Sequence, residues 1–173
     1  ILTDGNQAAW AAARLLYEQQ IDFLYMDAQA LDQAQVAGDT LVIGPQRFRA
    51  IVCDPPDTVS HPLLKRFVAA GGLLLETWQA ERLVPTLVAA VGRDVDWPLA
   101  TDLRVIHYRK AECDFYFLVN EGETTLAGEL SLATTGALAY WNPLTGISQA
   151  WPGVVRNDRL HTQVQLARRS SAI

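Results

Sequence analysis

The chain has 173 residues, half of them apolar, and a formal net charge of −5, enough for one large domain or two small ones with a real core. The acidic balance argues against a nucleic-acid partner, since phosphate recognition starts from a basic surface. Nothing approaches the roughly 18 consecutive apolar residues of a spanning helix, which argues against a membrane segment.

The chain begins at Ile1 without a Met and reads as an excised piece, so the lack of a leader says nothing about compartment. Cys53 and Cys113 sit in strand-like runs far apart and read as two buried thiols rather than a disulfide. The redox compartment stays open.

In chain order, "NQAAWAAARLLYEQQ" places Ala9, Trp10, Ala13, Leu16 and Tyr17 at helical spacing, with Asn6 as a cap. "IDFLYM" reads as a strand. "DTLVIG" and "RFRAIVC" follow as extended runs, separated by a Gly44-Pro45 turn. Ser60 precedes "HPLLKRFVAAGG", a helix with Pro62 early and Gly71 at its stop. "LLLE" reads as a strand covered on both faces. "QAERLVPTLVAAVG" reads as a helix kinked or restarted at Pro85. Short alternating strands and helices predict an α/β layer with parallel strands. Because the chain opens on a helix, the first strand of that layer is expected to be missing and to lie upstream.

The rhythm changes near "GRDVDWPLATD", residues 92–102. "DLRVIHYRK", "CDFYFLVNEG", "TTLAGELSLAT", "GALAYWNPLTG", "ISQAWPG" and "RLHTQVQLA" are short runs parted by Gly, Pro, Asn or Asp. They predict a compact antiparallel sheet or small sandwich. The expected organisation is α/β over 1–95 and an all-β sandwich-like subdomain over 101–173.

Few residues look reactive. Asp54 and Glu76 each close a predicted parallel strand, where ligands of open sheets gather. Two carboxylates suffice for glycoside hydrolysis when about 5 or about 6.5–9.5 Å apart. The competing reading is that Asp54 begins the "DPPD" turn and Glu76 caps the next segment. Cys53 is the one candidate nucleophile, but Pro55 and Pro56 after it supply none of the N–H groups that activate a thiolate. His61 lies close in sequence with nothing to orient it. His61, His107 and His161 have no metal-ligand spacing, and no phosphate or dinucleotide motif is present, so no metal or cofactor is expected. Phe115, Tyr116, Phe117, Tyr140, Trp141 and Trp151 could fill a core or stack on sugar rings, with Trp141, Asn142 and Trp151 as candidate carbohydrate contacts. In "YWNPLTG", Asn142-Pro143 starts a turn that Gly146 ends, which first of all connects two strands.

The second-half residues resemble the C-terminal region of large bacterial glycoside hydrolases, above all the α-L-rhamnosidase-like family of multidomain enzymes. The resemblance rests on His107 and Arg109 entering a strand, then Asp114, Tyr116, Phe117, Leu118 and Asn120, then Trp141, Pro143, Thr145 and Gly146. Two positions depart from the pattern: Asn142 replaces the usual Asp, and Tyr108 separates His107 from Arg109. "LLYEQQIDFLYMDAQAL" and "FRAIVCDPPDTVSHPLLKRFVAAGGLLLE" resemble a flavodoxin- or amidotransferase-like accessory domain also found in some β-galactosidases, without its reactive groups. The resemblance implies an accessory, non-catalytic piece of a polysaccharide-degrading hydrolase whose catalytic carboxylates, and any calcium, lie upstream. Its implied partners are that upstream catalytic domain and carbohydrate, and its implied location periplasmic or extracellular if the parent is secreted. The bare helix face of "AAWAAARLL" adds homo-oligomerisation as an expectation. The alternative is a free-standing hydrolase using Asp54 and Glu76, or Cys53, at the carboxyl ends of the parallel strands.

Overall fold

The computed structural model describes residues 1–3, 10–54, 60–76, 78–97 and 100–173. Among these are four helices and several small sheets, mostly antiparallel, so the chain is of mixed α/β class. It divides into two compact units: Ile1–Leu16 with Phe23–Gly92, and Tyr17–Asp22 with Arg93–Ile173.

In the first unit, β4 (Ala50–Val52) and β5 (Leu73–Leu75) run parallel, Ile51 beside Leu74. Residues 1–3 join them. Leu2 forms parallel bridges to Met26 on one side and Cys53 on the other. Leu2 N donates to Val52 O at 2.8 Å and Thr3 N to Met26 O at 3.0 Å. The order across the layer is therefore Met26, Leu2, β4, β5. The expectation of a missing first strand is corrected: "ILT" fills that position. Three residues are too few to display a strand period, and the helical pattern after them is the stronger signal.

The expected strand in "IDFLYM" is reduced to one bridge, at Met26. Asp27 then turns the chain as the cap of α2 (Ala28–Asp32), its side chain accepting from Ala30 N at 2.9 Å. "DTLVIG" and "RFRAIVC" are extended as expected, but not all of them lies in the parallel layer. β1 (Gln35–Ala37), β2 (Thr40–Ile43) and β3 (Gln46–Phe48) form an antiparallel meander, and only β4 enters the parallel layer. Tight turns at Gly38 and Gly44, both at positive φ, reverse the chain too soon for a parallel crossover.

α1 (Ala11–Glu18) buries Ala12, Ala13 and Leu16; the expected cap Asn6 and the apolar Ala9 lie outside the described residues. α3 (Pro62–Ala69) has Pro62 in its first turn and His61 as cap, with Leu63 N donating to His61 Nδ1. Gly71 follows at φ 99°. Gly72 makes a close approach: a Cβ there would lie 2.1 Å from the ring of the fully buried Phe67. α4 (Ala80–Val91) is one continuous helix through Pro85, so it does not restart there. The buried Leu83 and Leu87 hold the turns on either side of the proline, which offsets the lost backbone bond.

The second unit holds no helix within the described residues 93–173. β6 (Val95–Asp96), β9 (Leu126–Leu132), β12 (Val154–Arg156) and β13 (Arg159–Leu166) form one antiparallel sheet in the order β12-β13-β9-β6. β7 (Leu103–Lys110), β8 (Cys113–Asn120) and β14 (Ser171–Ala172) form another in the order β14-β8-β7. β10 (Ala139–Trp141) and β11 (Ser148–Ala150) make a hairpin. Leu103, Tyr116 and Leu118 from the second sheet share one apolar cluster with Val95, Leu130, Leu132 and Leu160 from the first. Phe115 and Phe117 do share a face, as alternation predicts, but it is the half-buried outer one. Cys113 is exposed beside the β7–β8 turn, contrary to the expected buried thiol, whereas Cys53 is buried; neither forms a disulfide. Trp97, inside the polar stretch 92–102, is a core residue packed on Gly128, where a Cβ would lie 2.9 Å from the indole nitrogen.

Candidate functional site

At the carboxyl ends of the parallel strands, the three candidates have different surroundings. Asp54 is buried and its Oδ2 accepts from Ala12 N at 2.7 Å. It thus supplies an acceptor to the first turn of α1, whose N–H groups have no partner within the helix. Cys53 is fully buried; its N donates to Leu75 O and its carbonyl accepts from the Trp78 indole at 2.9 Å. Glu76 is exposed. The segments following Thr3 and Asp54, including Pro55 and Pro56, lie outside the described residues.

The "YWNPLTG" hairpin is a built turn. The Asn142 side chain accepts from Leu144 N at 2.9 Å and Thr145 N at 3.2 Å, as asparagine does at the start of a turn. Asn142 N donates to Ile147 O, and Gly146 sits at φ 70°. This explains why an amide serves at 142 where the resembled pattern has Asp: either side chain presents the oxygen the turn needs. Trp141 pairs through its backbone with Ile173 and remains 41% exposed, outside the core cluster. Leu144 at the tip is 93% exposed. Trp151 is half-buried, 5.5 Å from the Tyr140 ring centroid, and donates to Gln163 O. Trp141 and Leu144 thus leave apolar surface at the hairpin, while Trp151 packs behind it.

A cluster of interacting charges surrounds His107. The β7–β8 register sets His107 opposite Tyr116 and Arg109 opposite Asp114. The His107 and Tyr116 rings stack at 4.4 Å and 8°. His107 Nε2 lies 2.9 Å from Asp114 Oδ1, and Nδ1 lies 3.0 Å from Asp94 Oδ2. Arg109 grips Asp114 with two contacts, at 2.7 and 3.1 Å. Burial works against the charge on His107, but the two carboxylates outweigh it and raise its pKa. The Arg109 guanidinium, with His107 adding to it against desolvation, holds the Asp114 carboxyl below its ordinary range. Burial pushes the Tyr116 phenol up to about 12; the residue is 8% exposed and its hydroxyl has no hydrogen-bond partner among the described residues.

Further along the same strand, the fully buried Asn120 donates to the carbonyls of Thr124, Leu166 and Ala167 and accepts from Gly122 N. The pattern Asp114-x-Tyr116-x-Leu118-x-Asn120 is therefore one strand face that runs from an ion pair, through the core, to a polar staple. Sequence reasoning missed Asp94 and Arg159, whose side chain bonds Ser131 and the Arg93 carbonyl. No local pattern links either residue to the β7–β8 hairpin.

Among the described residues, no group of three or more His, Cys, Asp or Glu is arranged to hold a metal. At His107 the reason is plain: the two carboxylates face opposite ring nitrogens and do not converge on one point. His61 is paired with Asp32 and His161 with Glu129.

No family model matches the sequence, and no curated protein does. Among solved structures, a rhamnosidase from Novosphingobium sp. PP1Y superposes with a TM-score of 0.67 over 89% of this chain, at 17% identity. The chain spans 19% of the length of that enzyme. The likeness is one of fold, and it makes this chain structurally similar to part of a carbohydrate-active enzyme.

Proposed function

We propose that this chain is a non-catalytic accessory portion of a multidomain glycoside hydrolase that acts on plant or bacterial polysaccharide and is α-L-rhamnosidase-like in kinship. The observation that carries the reading is the fold likeness of 89% of the chain to a 19% portion of a rhamnosidase. Two features of the first unit support it. The layer order Met26, Leu2, β4, β5 is 2-1-3-4 in chain order, as at the start of a flavodoxin-like sheet, which suits a degenerate amidotransferase-like domain over residues 1–95. Cys53 is enclosed and Asp54 serves α1, so neither is presented to a substrate. The two antiparallel sheets around one apolar cluster suit a small β-sandwich over residues 101–173. The partner is then the upstream catalytic domain of the same polypeptide, with carbohydrate at the exposed Trp141 as a second contact and self-association as a third.

The test uses the purified 173-residue chain with aryl α-L-rhamnosides and β-galactosides, and with a panel of plant and bacterial polysaccharides. No turnover is expected. Turnover that disappears in Glu76→Gln, with the fold retained, would overturn the reading in favour of the free-standing hydrolase. Sequencing the gene upstream of this segment should reveal a catalytic barrel, and sedimentation over a concentration series reads self-association.

A further inference from the structure

His107 stands between two carboxylates. Its Nδ1 is 3.0 Å from Asp94 and its Nε2 is 2.9 Å from Asp114. A neutral imidazole carries a single N–H, so one of these contacts would then set a nitrogen lone pair against a carboxylate oxygen. Only the imidazolium donates to both. The two carboxylates belong to different sheets. Asp94 leads directly into β6, the edge of the four-stranded sheet, and its carbonyl accepts from Ala133 N at 2.8 Å. Asp114 lies on β8 of the three-stranded sheet.

The neighbouring charges sharpen this picture. From β7, Arg109 is committed to Asp114 by two contacts. From β8, Tyr116 stacks on the imidazole with its hydroxyl buried. From β13, Arg159 is committed to Ser131 and to the carbonyls of Arg93 and Asp94. These arginines leave the Asp94 carboxylate to His107.

We propose that His107 is a proton-operated clamp: its imidazolium ties the β6 edge of one sheet to the β7–β8 hairpin of the other, and loss of its proton to solvent removes the charge that holds Asp94 and leaves one N–H for two carboxylates. The folded-state pKa of His107 is raised. The clamp is therefore fully present below the ordinary imidazole value of about 6.5 and is lost as pH rises through the folded value. Asp114 keeps Arg109 throughout, whereas Asp94 loses its cationic partner, so the contact between sheets is the one that loses its charge assistance.

The test is a histidine-ring NMR titration of the 173-residue chain, with the His107 signal assigned by its loss in His107→Gln. The midpoint is expected above that of an ordinary imidazole and should fall in Asp94→Asn. Hydrogen exchange at Ala133 N should lose protection through that midpoint in the parent and show no such step in Asp94→Asn. The unfolding constant should rise by up to about tenfold per pH unit across the window, and less steeply in Asp94→Asn. A parent midpoint at or below the ordinary imidazole value overturns the proposal, even if Asp94→Asn does not fold. So does an unchanged midpoint in a folded Asp94→Asn.

Discussion

Replacing Asn120 tests whether the buried end of the β8 strand face is a structural staple. Its side chain makes four contacts in a fully buried setting: donations to Thr124 O at 2.8 Å, Ala167 O at 2.9 Å and Leu166 O at 3.2 Å, and acceptance from Gly122 N at 2.9 Å. Truncation to Ala leaves the Gly122 N–H buried without an acceptor, at about 1–3 kcal/mol, and removes two N–H donors worth about 0.5–1.5 kcal/mol each. The total is about 4 kcal/mol, a large part of the roughly 5–15 kcal/mol that holds a domain folded. Asn120→Asp has the same shape and keeps the Gly122 contact, but it turns a carboxylate oxygen towards three carbonyls. At neutral pH it should be at least as damaging, and acid should partly rescue it by restoring a donor. Urea unfolding followed by tryptophan fluorescence measures both variants. A loss below about 1 kcal/mol for Asn120→Ala, or a neutral Asn120→Asp at pH 7, would refute the argument that unmet buried hydrogen bonds set the cost.

Gly72→Ala should destabilise by about 1–3 kcal/mol, because its Cβ meets the buried Phe67 ring, whereas Gly136→Ala, whose nearest neighbour would be 4.0 Å away, should be nearly neutral in the same urea assay. Asp54→Ala should cost about 1–2 kcal/mol, as loss of a helix cap does, with a matching decrease in helical circular dichroism. Trp141→Ala should cost less than the roughly 3–5 kcal/mol of a buried aromatic, since the ring is 41% exposed; if polysaccharide binding is detected, affinity gels should show it weakened in this variant. Arg109 depresses the Asp114 pKa, so this carboxylate contributes stability above its unfolded value of about 3.9 that is lost as pH falls through the folded value. Asp114→Asn should flatten that acid limb of a stability–pH profile.

Much of the architecture is local in origin and was legible. Pro62 and Gly71 bracket α3 as their backbone preferences require. The period-2 runs of the second half become β7, β8, β9 and β13, and Asn142-Pro143 builds the turn its chemistry implies. The failures have physical reasons too. "ILT" is too short for periodicity, and its strand character comes from Met26 and Cys53 on either side of Leu2. Cys113 shares the strand composition of Cys53, but its place beside a hairpin turn exposes it. Trp97 looked like part of a polar linker because its burial depends on Gly128, some thirty residues away in sequence.

The candidate sites divide in the same way. The alternation of β7 already puts His107 and Arg109 on one side of that strand, and the alternation of β8 does the same for Asp114 and Tyr116, but the turn between the strands has Ala111 at φ 52° and no glycine to announce the register. Only pairing sets His107 against Tyr116, and only the approach of a second sheet brings Asp94 to its other nitrogen. By sequence Asp54 offers an oxygen to a turn or to a substrate, and only the fold places Ala12 N beside it. Residue type and spacing determine which groups a strand can present. Which charge meets which, and which side chain loses its water, depends on contacts between segments distant in sequence, and those the tertiary structure alone decided.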